Sequence, residues 1–367
     1  MKKIYLVIGI LIVMLITNCS KNTYKQVTEN GILVTVNNGT PADSNFTVKF
    51  QETALINSEN QQNPQKYIEK PICFEFDADQ NIFILDQKTS RIRKYDKSGK
   101  FLLAFGGTGS GTGQFTLANS FSIRKDTLFV FDWIGLKVIK FDLMGNCLFE
   151  TRLSSFDKFP ADPRAFGGFY VNIKDSVSSD LSGKSYTYRE LSLFDQEFNL
   201  IRSLHKNKYP NITDREYDPA ENTSLFTLSD SLIYIYENSK DDYSIDVYNK
   251  EGTILRRIKK DYSRIKMTAE EMNDFTDEGA RNGKRYRAEY KNSVNYMFID
   301  KYDRLWVNSS SAENENGLYF DIFENDIFLK RIRLDIDDDF IPLLIAEKII
   351  AINRSNNFIK TYEYTDK

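Results

Sequence analysis

The sequence predicts an all-β protein built from repeated four-stranded antiparallel sheets, and three observations predict it. Aromatic residues make up 14% of the 367-residue chain, and they cluster in short segments that alternate or run apolar, as strands do. Turn sequences such as "DADQ" and "DKSG" separate those segments, with Gly99 available for a left-handed backbone. The third observation is a repeat. The stretches beginning at Pro71 and Ala118 superpose Asp86 on Asp132, Asp96 on Asp142 and Gly99 on Gly145, each pair 46 residues apart. Phe83, Lys94 and Tyr95 meet Phe129, Lys140 and Phe141 at the same spacing. A period in the forties denotes a propeller or a solenoid, and four strands per period denotes the blades of a propeller.

Taken in chain order, the first segment is a targeting signal. Lys2 and Lys3 precede an unbroken apolar run, Ile4 to Ile16, of roughly 20 Å as a helix, short of the ~30 Å hydrocarbon core. The run ends in "ITNCSK", which resembles the lipobox of bacterial lipoproteins, with Asn18 where that family usually has Gly, Ala or Ser. The resemblance implies cleavage after residue 18, diacylglyceryl modification of Cys19, and a soluble domain exported and held on a membrane of the cell envelope by its acyl chains. Ser20 is compatible with outer-membrane sorting where two membranes exist. An ordinary signal peptide with an incidental Cys is the alternative. Residues 1–18 are thus expected as signal peptide, 19–44 as a tether and 45–366 as the propeller.

Loss of Lys2 and Lys3 moves the formal charge from −3 to −5. No basic stripe suited to nucleic acid is indicated. Two cysteines remain, Cys73 and Cys147. One falls on an innermost strand and the other on an outermost strand, too far apart to bridge, so both are expected as free thiols.

The first blade reads "PICFEFDADQNIFILDQKTSRIRKYDKSGKFLLAFG". Its strands are "CFEF", "NIFILD", "RIRKYD" and "KFLLAF". This stretch resembles an NHL repeat, with Pro71, Asp77, Asn81, Ile82, Asp86, Arg91, Ile92, Tyr95, Asp96 and Gly99 on that family's pattern. Cys73 and Gln80 stand where the pattern has Gly. The resemblance implies NHL-like blades, which counted along the chain make a six-bladed propeller, and it assigns "GGTGSGTGQF", Gly106 to Phe115, to the linker between blades. A phosphate loop is excluded on its own terms: no Lys lies between Phe105 and Arg124, and the glycines lead into a strand rather than a helix.

Later units diverge. Blade three is expected from "GGFYVNI", "YRELSLFDQ" and "FNLIRSLH", with Asp195 in the place of Asp142. Blade four has "SLFTLSD", "LIYIYE", "YSIDVYNKEG" and "TILRRIKK". Blade five has "NYMFIDKYDRLWVNSS", "LYFDIFEND" and "IFLKRIRL". The sixth has only "IPLLIA", "KIIAIN" and "FIKTYEYT", and Asn45 to Phe50, "NFTVKF", is expected to supply its outer strand and close the ring. Between blades four and five, a charged insertion at about 262–292 lacks strand alternation. Thr268 followed by Glu271 is a capping box, which predicts a helix from about Ala269.

Propeller geometry puts the first-to-second and third-to-fourth strand turns on one face. The remaining connections lie on the other, and nearly all the long polar stretches of this sequence belong to that second set. Binding residues concentrate on such loops. The ligand-binding candidates there are Arg91, Trp133, Lys137, Arg164 and Tyr209. Trp133 offers a stacking surface. Arg91 and Lys137 occupy equivalent positions in consecutive blades, which also fits a structural role, pairing with Asp86 and Asp132.

Signals for catalysis are weak. His205 is the single histidine, so no triad or zinc site built on several imidazoles can form. Asp335, Asp337 and Asp339 mimic the start of a calcium loop, but Phe340 and Ala346 occupy the Gly and Glu positions. No catalytic residue, metal or cofactor is predicted. The expectation is a membrane-tethered, exported scaffold that binds a protein, peptide or glycan on its long-loop face without catalysis. Two alternatives stay open. One is a hydrolase or lyase with a divalent cation in the central channel, as in some six-bladed propellers; the other is a passive subunit of an envelope assembly.

Overall fold

The computed structural model describes residues 23–57, 65–153, 163–166, 168–210, 218, 224–237, 239–281, 286–310, 318–336, 339–345, 348–353 and 358–366. Residues 1–22, with the expected signal peptide and Cys19, lie outside them. Among the described residues no helix is long and apolar enough to cross a membrane.

The chain opens with a hairpin, β1 (Tyr24–Glu29) and β2 (Ile32–Asn37), followed by β3 (Val48–Asn57). Blade one is β4 (Pro71–Phe76), β5 (Ile82–Asp86), β6 (Arg91–Tyr95) and β7 (Phe101–Gly106). Blade two is β8 (Ala118–Arg124), β9 (Thr127–Asp132), β10 (Lys137–Asp142) and β11 (Cys147–Arg152). Blade three is β12 (Arg164–Phe166), β13 (Phe169–Ser179), β14 (Ser185–Phe194) and β15 (Leu200–Pro210). Blade four is β16 (Ser224–Leu228), β17 (Ile233–Glu237), β18 (Ser244–Tyr248) and β19 (Ile254–Lys260). After the helix α1 (Ala269–Arg281), blade five is β20 (Val294–Ile299), β21 (Leu305–Ser309), β22 (Tyr319–Glu324) and β23 (Ile327–Arg333). Blade six is β24 (Phe340–Ile345), β25 (Ile349–Asn353) and β26 (Phe358–Asp366), completed by β3.

The result is a six-bladed propeller of antiparallel sheets. Innermost strands of neighbouring blades pack together, β4 on β8, β8 on β12 and β16 on β20. Second strands are covered on both sides, and all five residues of β5 are buried. That is why they read as continuous apolar runs rather than alternating ones. Between blades one and two, Phe83, Leu85, Phe115, Phe121 and Phe141 form one core cluster. Between blades two and three the cluster is smaller, with only Phe129, Phe131 and Val138 fully in it among the described residues.

Closure uses the N-terminus as expected, with different bounds. The closing strand is Val48–Asn57, paired antiparallel with β26 from Phe358↔Asn57 to Asp366↔Val48. Its polar "QET" hides the continuation, yet Ala54 and Ile56 beyond it are buried. Asn45 and Phe46 precede the strand, and Phe46 instead packs beneath the Arg304 guanidinium, 5.2 Å from its ring centroid. Part of the segment expected as a tether is also sheet. The β1–β2 hairpin adds to blade four, β2 running parallel to β19. Buried Asn37 fixes it there, donating to the Lys259 and Asp326 carbonyls and accepting from the Phe328 amide.

One device recurs at the tight turns. A side-chain oxygen of the first residue accepts the amides two and four residues on. Asp77, Asp96, Asp142, Asp180, Asp195, Asn249 and Asp300 all do this. The residue three positions on is left-handed each time: Gly99, Gly145, Gly183 and Gly252, but also Gln80, Phe198 and Asp303. A side chain there costs about 1–2 kcal/mol. At α1 the capping box forms as predicted, Thr268 Oγ1 accepting the Glu271 amide and Glu271 accepting the Thr268 amide.

Two predictions follow from the turns. Gln80→Gly should raise stability by about 0.5–1 kcal/mol, relief of strain exceeding the added chain entropy of the unfolded state. Gly99→Ala, whose Cβ would lie 2.8 Å from the Leu55 carbonyl oxygen, should lower it by more than about 1 kcal/mol; thermal unfolding reads both. The second concerns acid. Hydrogen bonds from the Ser98 and Asn146 side chains, and then from turn amides, hold Asp96 and Asp142 below the usual carboxylate range. Depressed folded-state values mean stability that is present above the unfolded pKa and lost as pH falls through the folded one. An Asp96→Asn, Asp142→Asn variant keeps the acceptor, as Asn249 does naturally. Its Tm should therefore fall less than that of the wild type as pH drops through and below the ordinary Asp value of 3.8.

Candidate functional site

The connections are unequal on the two rims. Turns from first to second and third to fourth strand are short, such as 77–81, 125–126 and 249–253. The longer connections, 107–117, 153–163, 211–223, 261–293 and 310–318, join strand ends that lie on the other rim. Phe115 plugs the first of these into the core, fully buried, with Gly106 beneath it: a Cβ on Gly106 would sit 2.6 Å from that ring. The glycine stretch is a linker between blades one and two.

All five candidates lie at this rim. Arg91 and Lys137 begin third strands, Trp133 follows β9, Arg164 begins an innermost strand, and Tyr209 stands near the end of an outermost one. Arg164 was expected in a connection; it belongs to β12, exposed, its guanidinium 4.6 Å from the Phe226 ring centroid of blade four. Trp133 is partly buried, packed against the cluster of Phe129, Phe131 and Val138. The candidates thus share a rim while spanning blades one to three.

The expected pairing of Arg91 with Asp86 is corrected. Arg91 is opposite Asp86 in register but donates to the Gln65 side chain at 3.1 Å. The partner of Asp86 is Arg93, 3.1 Å away, both side chains fully buried. Asp86 also accepts the Glu69, Lys70 and Lys88 amides and the Thr89 hydroxyl. In blade two the equivalent Asp132 accepts the Thr116, Leu117 and Gly135 amides. Buried Lys137 reaches Glu150 instead, at 3.5 Å, and Glu150 takes the Gly113 amide of the glycine linker. Register proximity loses in both blades because the carboxylates face inward, toward the incoming linker.

Tyr209 belongs to a feature the sequence reading missed. Strands β13, β14 and β15 are ten or eleven residues long, whereas β12 pairs only with Phe169, Tyr170 and Val171. Their far ends form a three-stranded arm standing roughly 15 Å above the rim. On one face of the arm Lys208 Nζ lies 3.8 Å from the Tyr186 ring centroid and Lys206 Nζ 5.2 Å from that of Tyr188. On the other, Arg189 grips Asp175 with two hydrogen bonds of 2.8 and 2.6 Å, which raise the Arg189 pKa. There the Tyr209 hydroxyl is 2.9 Å from Ser224 Oγ on the innermost strand of blade four. Val177 and Leu181 are exposed on the arm. A sequence signal existed: "DLSGK" at 180–184 repeats the turn "DKSGK" at 96–100.

His205 is half-buried between blades three and four, Nε2 3.0 Å from Glu237 Oε1 and its ring edge-on to Tyr248. That contact is the main cause holding Glu237 below its usual pKa. Cys73 and Cys147 are free thiols. Among the described residues no group of three or more His, Cys, Asp or Glu side chains is placed to hold a metal ion; Asp337 and Ala346 of the calcium-like stretch lie outside them.

The corrected pairing is testable by equilibrium unfolding. Arg93→Met strands a buried carboxylate and should cost about 3–5 kcal/mol, whereas Arg91→Ala should cost under about 0.5 kcal/mol.

Comparison with known proteins adds the following. A solved member of the DUF4221 family from Bacteroides vulgatus shares the fold, at 9% identity and TM-score 0.52, over 89% of this chain and 99% of that one. A provisionally assigned exported protein from Bacteroides fragilis is similar at 13% identity, TM-score 0.48, over 89% and 97%. Virginiamycin B lyase from Staphylococcus aureus is similar at 12% identity, TM-score 0.40, over 86% and 99%. No curated protein matches the sequence. The profile of the six-bladed β-propeller family DUF5128 matches residues 71–327, and the chain belongs to that family.

Proposed function

We propose that this propeller is an exported lipoprotein, acylated at Cys19, that binds a protein, peptide or glycan through the rim bearing the long connections and the arm of blade three. One observation carries the binding reading: a rigid ring whose opposite rim is trimmed to tight turns gathers its extended connections, its arm and all five candidate residues on one side. Rigid scaffolds present recognition residues in this way. The arm's tyrosines give large contact area at low entropic cost, and its lysines give charge.

The lipobox-like "ITNCSK" supports the anchor. Tyr24, the first residue of the hairpin on blade four, lies five positions after Cys19, a reach of at most about 18 Å. An acylated Cys19 would therefore hold the outer edge of blade four close to the bilayer, leaving the rim accessible from the side.

Two measurements test the proposal. Wild-type protein expressed in a bacterium with lipoprotein processing should take up an alkyne-labelled fatty acid and sediment with membranes, while Cys19→Ala should do neither; equal labelling of both contradicts the anchor. Soluble protein lacking residues 1–19 should bind discrete members of a glycan and peptide array. Tyr186→Ser with Tyr188→Ser should weaken those signals about tenfold or more, and an array without signal, or one indifferent to the arm, contradicts the rim.

A further inference from the structure

We propose that the seam between blades two and three is a second binding site, on the opposite rim, for a small soluble phosphorylated molecule of sugar size. A pocket of about 300 Å³ opens there, lined by Arg124 and Lys125 of the β8–β9 turn, Phe129 and Lys140 of β9 and β10, Tyr170 of β13, and Glu197 of the β14–β15 turn. It lies where the inter-blade core is smallest, so the aromatic side chains that fill other seams here leave a space.

The charges of this pocket are unspent. Elsewhere the buried cations have carboxylate partners: Arg93–Asp86, Lys94–Asp77, Lys137–Glu150, Arg304–Asp300 and Lys348–Glu363. Among the described residues Arg124, Lys125 and Lys140 have no such ion pair; Lys140 lies 5.3 Å from the Phe129 ring centroid. Three like charges around one cavity repel each other until an anion enters. Tyr170 supplies the second, independent observation. It is 1% exposed, and its hydroxyl, close to the Arg124 guanidinium, is buried with no acceptor for its own proton. Such a group costs about 1–3 kcal/mol when left unpaired, and natural proteins rarely leave one so. Burial pushes the phenol's pKa up against the pull of Arg124, which keeps it a protonated donor at neutral pH.

Three cations and a neutral O–H donor match a phosphate monoester, which is dianionic and rich in acceptors. The cavity stands at the lower end of small-molecule sites and is larger than the oxyanion alone needs. Phe129 offers an apolar wall, and Glu197 at the open side offers an acceptor for hydroxyl groups while disfavouring a second phosphate.

Isothermal titration calorimetry with glucose 6-phosphate, glucose and inorganic phosphate, and co-sedimentation with vesicles containing phosphatidylinositol 4-phosphate, test this on the soluble chain. Saturable binding of glucose 6-phosphate, tighter than inorganic phosphate and absent for glucose, is expected. Lys140→Met should weaken it about tenfold or more. Tyr170→Phe should weaken it several-fold while leaving Tm unchanged or higher, because it removes a hydroxyl the free protein does not satisfy. Absence of saturable binding of glucose 6-phosphate up to about 10 mM, affinity no better than that of inorganic phosphate, binding that both variants retain in full, or recruitment by vesicles without binding of the soluble ester would each overturn the proposal. The pocket residues are separate from the arm, so arm variants that lose array signals leave this test intact.

Discussion

The first two blades, which carry the clearest repeat, depend on a buried carboxylate at the end of the second strand. In blade one Asp86, and in blade two Asp132, is fully buried and accepts amide hydrogens from the two residues that lead into the same blade, Glu69 and Lys70 or Thr116 and Leu117. A connection crossing from an outermost strand back to an innermost one carries backbone donors that no ladder satisfies. The carboxylate collects them and fixes the height at which blades one and two start. Blade one adds Arg93 to the same carboxylate, whereas blade two has Ile139 at that position. The constraint is therefore the gathered amides, with the ion pair a local elaboration.

With entry heights fixed, the blades stack through apolar second strands, and the remaining freedom lies in the connections. Evolution of one rim toward tight side-chain-capped turns leaves the other to carry length. The N-terminal segment adds a belt: its hairpin extends blade four, Ala42 and Asp43 hydrogen-bond along β23 of blade five, and β3 closes blade six. Half the perimeter is thereby wrapped by chain that precedes the first blade. Arg304 ties the same region from within, bonded to Asp300 and to Asp366 of the last strand.

Most of this architecture was legible because propeller blades advertise themselves through short-range chemistry. The turn Asp or Asn followed three residues later by a left-handed position is a local signal, and it helped to place blades one to five. What escaped the reading was set by partners distant in sequence. "QETALIN" has no clean alternation of its own and becomes strand through β26. The polar ends of β13 to β15 lack any apolar pattern because they stand free of the core. Arg91 and Arg93 stand two residues apart on the same face of β6, so alternation alone could not tell which one reaches Asp86. The cationic pocket was illegible for a similar reason, since Arg124, Lys140 and Tyr170 meet across two blades.

The two rims now carry different chemistry: an extended, aromatic and cationic surface on one side, a small cationic cavity on the other, joined by a rigid seam. That rigidity rests on the buried carboxylates, and amide hydrogen exchange reads it most directly. The amides of Lys70 and Leu117 lie outside the strands yet donate to Asp86 and Asp132. They should exchange as slowly as those of β5 and β9, and in Asp132→Ala the Leu117 amide alone of the pair should become fast. Exchange of both at the rate of an open loop in the wild-type protein would contradict the account.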